Sequence, residues 1–122
     1  MNHEIEQEIQ DKGLTAPRVT LADIENNIIA EKYFTANDAK NSHTKFNTKN
    51  PDYLSIEKSL RLLTFCILIL RNGFTVTGES ACASPENFNW ELGKKIAREN
   101  AVQNVWMLEG YSLKQKLFEK DI

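Results

Sequence analysis

At 122 residues, 41% hydrophobic and 26% charged, the chain has the size and composition of one globular domain with a single modest core. A formal net charge of −2 excludes non-specific binding along a nucleic-acid backbone, which needs a field of Lys and Arg. It leaves room for a small anionic ligand, which needs only a few local donors.

The polar, acidic start MNHEIEQEIQ carries no secretory pattern. Ile5 and Ile9 lie four residues apart and Gly13 follows as a stop, so residues 1–16 read as a helical or flexible N-terminal tail. Thr15 to Arg18 is a break. Thr20 then reads as an N-cap with Asp23 reaching back to it, and Leu21, Ile24 and Ile28 form one stripe of a helix that runs to about Tyr33-Phe34. Those two aromatics read as core, with a stacking platform as the functional alternative. From Thr35 to Tyr53 the chain is polar, and residues 39–53 are expected to be a functional or mobile loop. Leu54–Leu60 is either a helical turn or the entry to the first strand.

The central stretch is Leu62–Cys82. It opens on the apolar run Leu62–Leu70, interrupted by Thr64 alone among polar residues, and continues through Arg71 and Asn72-Gly73 to Phe74-Thr75-Val76-Thr77. Asn-Gly between two β-rich runs predicts a hairpin with a two-residue type I′ turn, both of whose central residues need φ > 0. That turn places Arg71 opposite Phe74, Ile69 opposite Val76 and Ile67 opposite Gly78. One face then carries Phe65, Ile67, Ile69, Phe74 and Val76 and is the expected core. The other carries Cys66, Leu68 and Leu70 beside Thr75, Thr77 and Glu79. Gly78 in a strand has two readings: it relieves crowding opposite Ile67, or it opens an anion-binding nest with Ser80 and the helix start at Pro85–Asn87.

Ser84-Pro85-Glu86 looks like a helix start, with Phe88, Leu92 and Ile96 on one face and Trp90, Ala97 and Ala101 on a second. Gly93 within that helix points to the close approach of a neighbouring backbone. Asn104 is read as its end, and Leu108–Phe118 as a last helix. The predicted class is α+β: a central antiparallel hairpin or small sheet, with N-terminal and C-terminal helices packed on it in one domain, 1–122. Leu68, Leu70 and the Trp90/Ala97/Ala101 stripe exceed what so short a chain is expected to bury, so a homo-oligomer is predicted, with a two-fold dimer as the default.

Chemistry is sparse. The two cysteines, Cys66 and Cys82, are not cross-strand neighbours in the predicted register and read as free thiols. With His3 and His43 elsewhere, no metal cluster follows from spacing. The apolar run is too short to span a bilayer. No nucleophile stands near a base, so no catalytic residue, metal or cofactor is expected and an enzyme is disfavoured.

The run LLTFCILILRNGFTVTGESACASPENF, followed by ELGKKIARENAV and WMLEGYSLKQKL, resembles a family of small proteins of tailed phages and prophages, the gp-forty-nine-like phage proteins. The upstream VTLADIENNIIAEKYFTANDA fits as well, so the resemblance covers roughly residues 17–38 and 54–118. Two features depart from the family pattern: a longer polar loop at 40–53, and Met107 where a proline often follows the Trp. The resemblance implies a phage or prophage accessory protein acting in the host cytoplasm. More loosely, the pattern is similar to phage anti-defence proteins of the Thoeris inhibitor type, small oligomers that sequester nucleotide immune signals such as cyclic ADP-ribose isomers. On that reading Phe74, Phe88, Trp106 and Tyr111 supply faces for a base, while Arg71, Arg98, Asn87 and Asn100 supply donors for phosphates. The alternatives are a protein-interaction module that modulates a host factor and a hydrolase of the same signals.

Overall fold

The computed structural model describes residues 2–43, 45 and 53–121, and most of the predicted 39–53 loop lies outside the described residues. In chain order the elements are α1 (His3–Asp11), α2 (Leu21–Asn27), β1 (Ile28–Thr35), α3 (Tyr53–Arg61), β2 (Leu63–Leu70), β3 (Thr75–Ala81) and α4 (Trp90–Lys120). The strands form one antiparallel sheet in the order β1-β2-β3. Helix α4 lies across β2 and β3. The class is α+β, as the pattern predicts.

Local signals set the first helices. Asn2 caps α1, its Oδ1 accepting from Ile5 N at 2.8 Å. Thr20 and Asp23 form the expected capping box, with Asp23 N donating to Thr20 Oγ1 at 3.0 Å and Thr20 N to Asp23 Oδ2 at 2.9 Å. The second helix nevertheless ends at Asn27, not near Phe34. Ile28–Thr35 instead pairs with β2, setting Tyr33 opposite Cys66 and Phe34 opposite Phe65, and the last two rings stack at 5.3 Å. β-branched and aromatic side chains suit a pleated surface, and a partner strand rich in the same types decides the outcome.

The hairpin is present, but its register differs from the predicted one by one residue. Gly73 has φ +87° while Asn72 does not enter the positive region. The loop is therefore Arg71-Asn72-Gly73, with Gly73 N donating to Leu70 O and Leu70 N to Phe74 O, each at 2.9 Å. This is the three-residue closure in which a left-handed glycine forms a bulge. Asn72 supports it through its side chain, Oδ1 accepting from Phe74 N at 2.9 Å, and Arg71 N is tied to Asn27 O at 3.0 Å. Leu68 thus faces Val76 and Cys66 faces Gly78. A one-residue slip exchanges the faces of a strand. Thr64, Cys66, Leu68, Leu70, Val76 and Gly78 are buried, while Phe65, Ile67 and Ile69 are only half-buried and Phe74 is exposed.

Helix α4 covers that inner face. It is one continuous helix of 31 residues, not two, and starts at Trp90 with Asn89 as its cap. Ser84-Pro85-Glu86 opens only a 3-10 turn, Pro85–Asn87. The buried residues of α4 are Gly93, Ala97, Ala101 and Val105, a row of mostly small side chains four apart, whereas Leu92 and Ile96 are exposed. A Cβ on Gly78 would stand 2.3 Å from Ala101 N and 2.4 Å from Ala97 O, and one on Gly93 would stand 2.9 Å from Thr64 Oγ1. Gly78 therefore relieves neither Ile67 nor a nest; it lets the helix backbone touch the sheet. Of the surfaces expected to need a partner, Leu68, Leu70, Ala97 and Ala101 are buried within one chain, and Trp90 alone stays exposed, at 37%.

A second tie holds α1. Glu6, its one buried residue, accepts from Arg18 Nη1 at 3.2 Å, from Arg18 Nη2, from Leu21 N at 2.9 Å and from Gln10 Nε2 at 3.2 Å. The Arg18 guanidinium first, then Leu21 N, hold the Glu6 carboxyl well below its ordinary value, at about 2.

Replacing Gly78 with Ala is expected to destabilise the protein at the upper end of the range for overpacking, about 3 kcal/mol, because the obstruction is backbone. Gly110→Ala, with open space around the new methyl, is expected to stabilise by about 0.4–1 kcal/mol. Urea denaturation of the two variants checks both. The lowered Glu6 pKa stabilises α1 docking above the ordinary carboxylate value and ceases to do so as pH falls towards about 2. Exchange protection of α1 amides is therefore expected to fall across that acid window, ahead of the sheet.

Candidate functional site

Among the grooves that border the helices are two that hold arginines singled out in the sequence. The larger, about 590 Å³, lies between α1, α2 and α4, with Ile5, Leu21, Val102 and Trp106 among its walls and Glu25, Arg98 and Glu99 at its rim. The second, about 360 Å³, lies beside the hairpin tip between α2 and α4. Arg18, Arg71 and Lys116 line it, with Asp23, Asn26, Asn27, Glu109 and Ser112.

Arg98 stands on the flank of α4 that faces β1 and α2. Its Nε donates to Glu31 Oε1, and its Nη2 to Glu25 Oε2 at 3.0 Å. Burial opposes its charge, but the two carboxylates outweigh that and raise its pKa further. Arg98 is thus a clamp joining α4 to β1 and α2, and its charge is already met. Beside it, Lys94 Nζ lies 5.4 Å from the Trp90 ring centre and 5.9 Å from that of Tyr33. Burial pushes the Tyr33 phenol up to about 12, so it stays protonated.

The hairpin tip is different. Arg71 uses its backbone N–H on Asn27, while its guanidinium makes no hydrogen bond or ion pair with the described residues. Lys116 likewise has no such partner there. The carboxylates of the same groove, Glu109 and Asp23, accept from the neutral donors Asn27 Nδ2 and Thr20 N, so they keep their charge. The arrangement leaves two unpaired cations, from a hairpin and a helix, on one concave surface with Ser112 and Asn26 available as further polar groups. Such a surface is suited to an anion.

The residues chosen from the sequence do not converge within one chain. Arg98 and Trp106 share the larger groove, where Trp106 Nε1 is buried without a hydrogen-bond partner among the described residues. Arg71 lines the smaller groove. Asn100 is on the opposite flank of α4 from Arg98, and its Nδ2 donates to Glu79 O at 2.8 Å. Phe74 is exposed at the start of β3, and Tyr111 is 74% exposed on α4. Asn87 and Phe88 sit at the 3-10 turn before α4. Arg18 and Lys116 went unnoticed in the sequence, where one falls in the break at Thr15 to Arg18 and the other within the predicted last helix, Leu108–Phe118. Among the described residues no three His, Cys, Asp or Glu are placed to hold a metal ion, and both cysteines are free thiols. No helix among them is long and apolar enough to cross a membrane.

The family model for the phage protein (N4 Gp49/phage Sf6 gene 66) family matches residues 19–117. The chain belongs to that family. The match takes in β1, the whole hairpin and nearly all of α4, and begins after α1. Comparison with curated proteins and with solved structures gave no match.

Because each carboxylate at Arg98 is partly exposed, the clamp is worth little per pair, about 0.2–1 kcal/mol. Arg98→Met is expected to lower stability by roughly 1 kcal/mol in low salt, and by less in high salt. Paired urea titrations at the two ionic strengths check this.

Proposed function

We propose that this phage family member is a non-catalytic accessory protein of the host cytoplasm that binds and sequesters a nucleotide-derived immune signal, such as a cyclic ADP-ribose isomer. The observation that carries the reading is the unpaired Arg71 guanidinium in a groove that also presents Lys116 and Arg18. Phosphates are the natural partner of a guanidinium with no carboxylate of its own, because its planar fork meets two phosphate oxygens at once. Arg98, matched by Glu25 and Glu31, serves the fold in this reading. The signal's base extends from the groove toward an aromatic face, for which exposed Phe74 and Tyr111 are available in the same chain or a second copy.

The alternative, a module that modulates a host protein, is favoured by one observation. Met107, Tyr111 and Phe118 form an exposed apolar stripe on the face of α4 turned away from the core.

Native mass spectrometry of protein purified from a host with an active signalling defence separates the readings: a retained nucleotide supports sequestration and a retained protein supports the module. With the nucleotide in hand, Arg71→Ala is expected to weaken calorimetric affinity by about 1.5–3 kcal/mol, the range for a charged hydrogen bond, whereas Arg98→Met leaves it within error. Unchanged affinity in Arg71→Ala overturns this placement of the phosphates.

A further inference from the structure

Arg18 belongs to two structures at once. Its guanidinium forms a two-pronged pair with Glu6 of α1, and the residue is among those lining the groove that holds Arg71 and Lys116. Glu6 is the one buried residue of α1, and it also takes Leu21 N, so this carboxylate moors the helix. Resting on the anion reading of the groove, we propose that α1 and a diphosphate-bearing anion are antagonistic ligands of Arg18, so that α1 restrains the groove and anion binding loosens α1.

The argument is one of charge. With α1 docked, Glu6 neutralises Arg18, and an anion drawn into the groove stands near a carboxylate of its own sign. With α1 displaced, Arg18 joins Arg71 and Lys116, and these three cations outnumber the groove's two carboxylates, Asp23 and Glu109. The cations come from three separate segments: the approach to α2, the hairpin tip and the C-terminal part of α4. That spread suits an anion with more than one phosphate group better than a single small ion. Glu6 stays ionised at neutral pH, because its pKa is held at about 2, so the restraint is in force there. Coupling of this kind is reciprocal: the factor by which α1 weakens the anion is the factor by which the anion weakens α1 docking.

The test titrates the full chain with inorganic pyrophosphate, following heat by calorimetry and α1 amides by hydrogen exchange, in the wild type, Glu6→Gln and Arg71→Ala. Pyrophosphate is expected to speed exchange in α1 of the wild type, and Glu6→Gln is expected to bind it at least about fivefold more tightly, the lower end of typical coupling. Equal or weaker binding by Glu6→Gln, or α1 exchange that pyrophosphate leaves unchanged or slows, overturns the antagonism. The wild-type exchange measurement needs no variant to fold. Binding that depends on Arg71 without any response from α1 sinks this inference alone, whereas absence of pyrophosphate binding in the wild type sinks it together with the placement of phosphates at Arg71.

Discussion

Strand β3 meets helix α4 at Gly78, where the backbone of Ala97 and Ala101 leaves no room for a Cβ. Much of the remaining structure follows from that approach. It requires a row of small residues along the helix, which Gly93, Ala97 and Ala101 supply, and it presses Gly93 onto Thr64, whose hydroxyl is buried without a partner among the described residues. It also fixes what the two flanks of α4 can reach. One flank brings Arg98 to Glu31 on β1 and Glu25 on α2. The other brings Asn100 and Asn104 to the carbonyls of Glu79 and Thr77 on β3, at 2.8 and 3.0 Å. A larger residue at position 78 would lift the helix and disturb both flanks.

Features set by neighbours in sequence were legible; features set by distant contacts were not. The Thr20/Asp23 capping box spans three residues, and the Asn-Gly turn announces a hairpin. Whether the loop holds two residues or three depends on contacts far away, among them Arg71 N on Asn27, and that single step reversed the predicted core face. Ile28–Thr35 has apolar spacing compatible with a helix, and only pairing with Leu63–Leu70 makes it a strand. Asn104 looked like a helix end because its amide favours caps, yet here that amide is used on Thr77 O of the sheet. Gly93 was read as the approach of a backbone, whereas its close neighbour is the Thr64 side chain, and Gly78 was given two explanations and has a third.

The candidate site shows the same division. Arg71 and Arg98 were equal candidates in the sequence, and they differ only through what the fold sets beside them. The partners of Arg98 are 67 and 73 residues away, so no local pattern announces that its charge is met. Nor does any spacing bring Arg18 and Lys116 to the hairpin tip. The family match begins at residue 19, one position after Arg18, and so omits both α1 and the arginine it moors. The groove at the hairpin tip is thus built from matched positions apart from Arg18, which lies just outside the match.

Association has to be argued afresh, since most of the apolar surface that first suggested it is buried within one chain. A small sheet offers two edges and one open face. The β3 edge is occupied: Leu70 N on Phe74 O and Cys82 N on Leu62 O set the parity, so Thr77 and Glu79 turn their backbone groups outward, where Asn104 and Asn100 take the carbonyls. The β1 edge carries a bulge between Ile28 and Ala30 and the charges of Glu31 and Lys32, both of which oppose strand addition. What remains open is facial. Ile67 and Ile69 are half-buried on the outer face of the sheet, and Met107, Tyr111 and Phe118 stand on the outer face of α4. Apolar surface of that kind favours contact through side chains over extension of the sheet, and it lies on the sheet and on α4, the elements held together by the Gly78 approach.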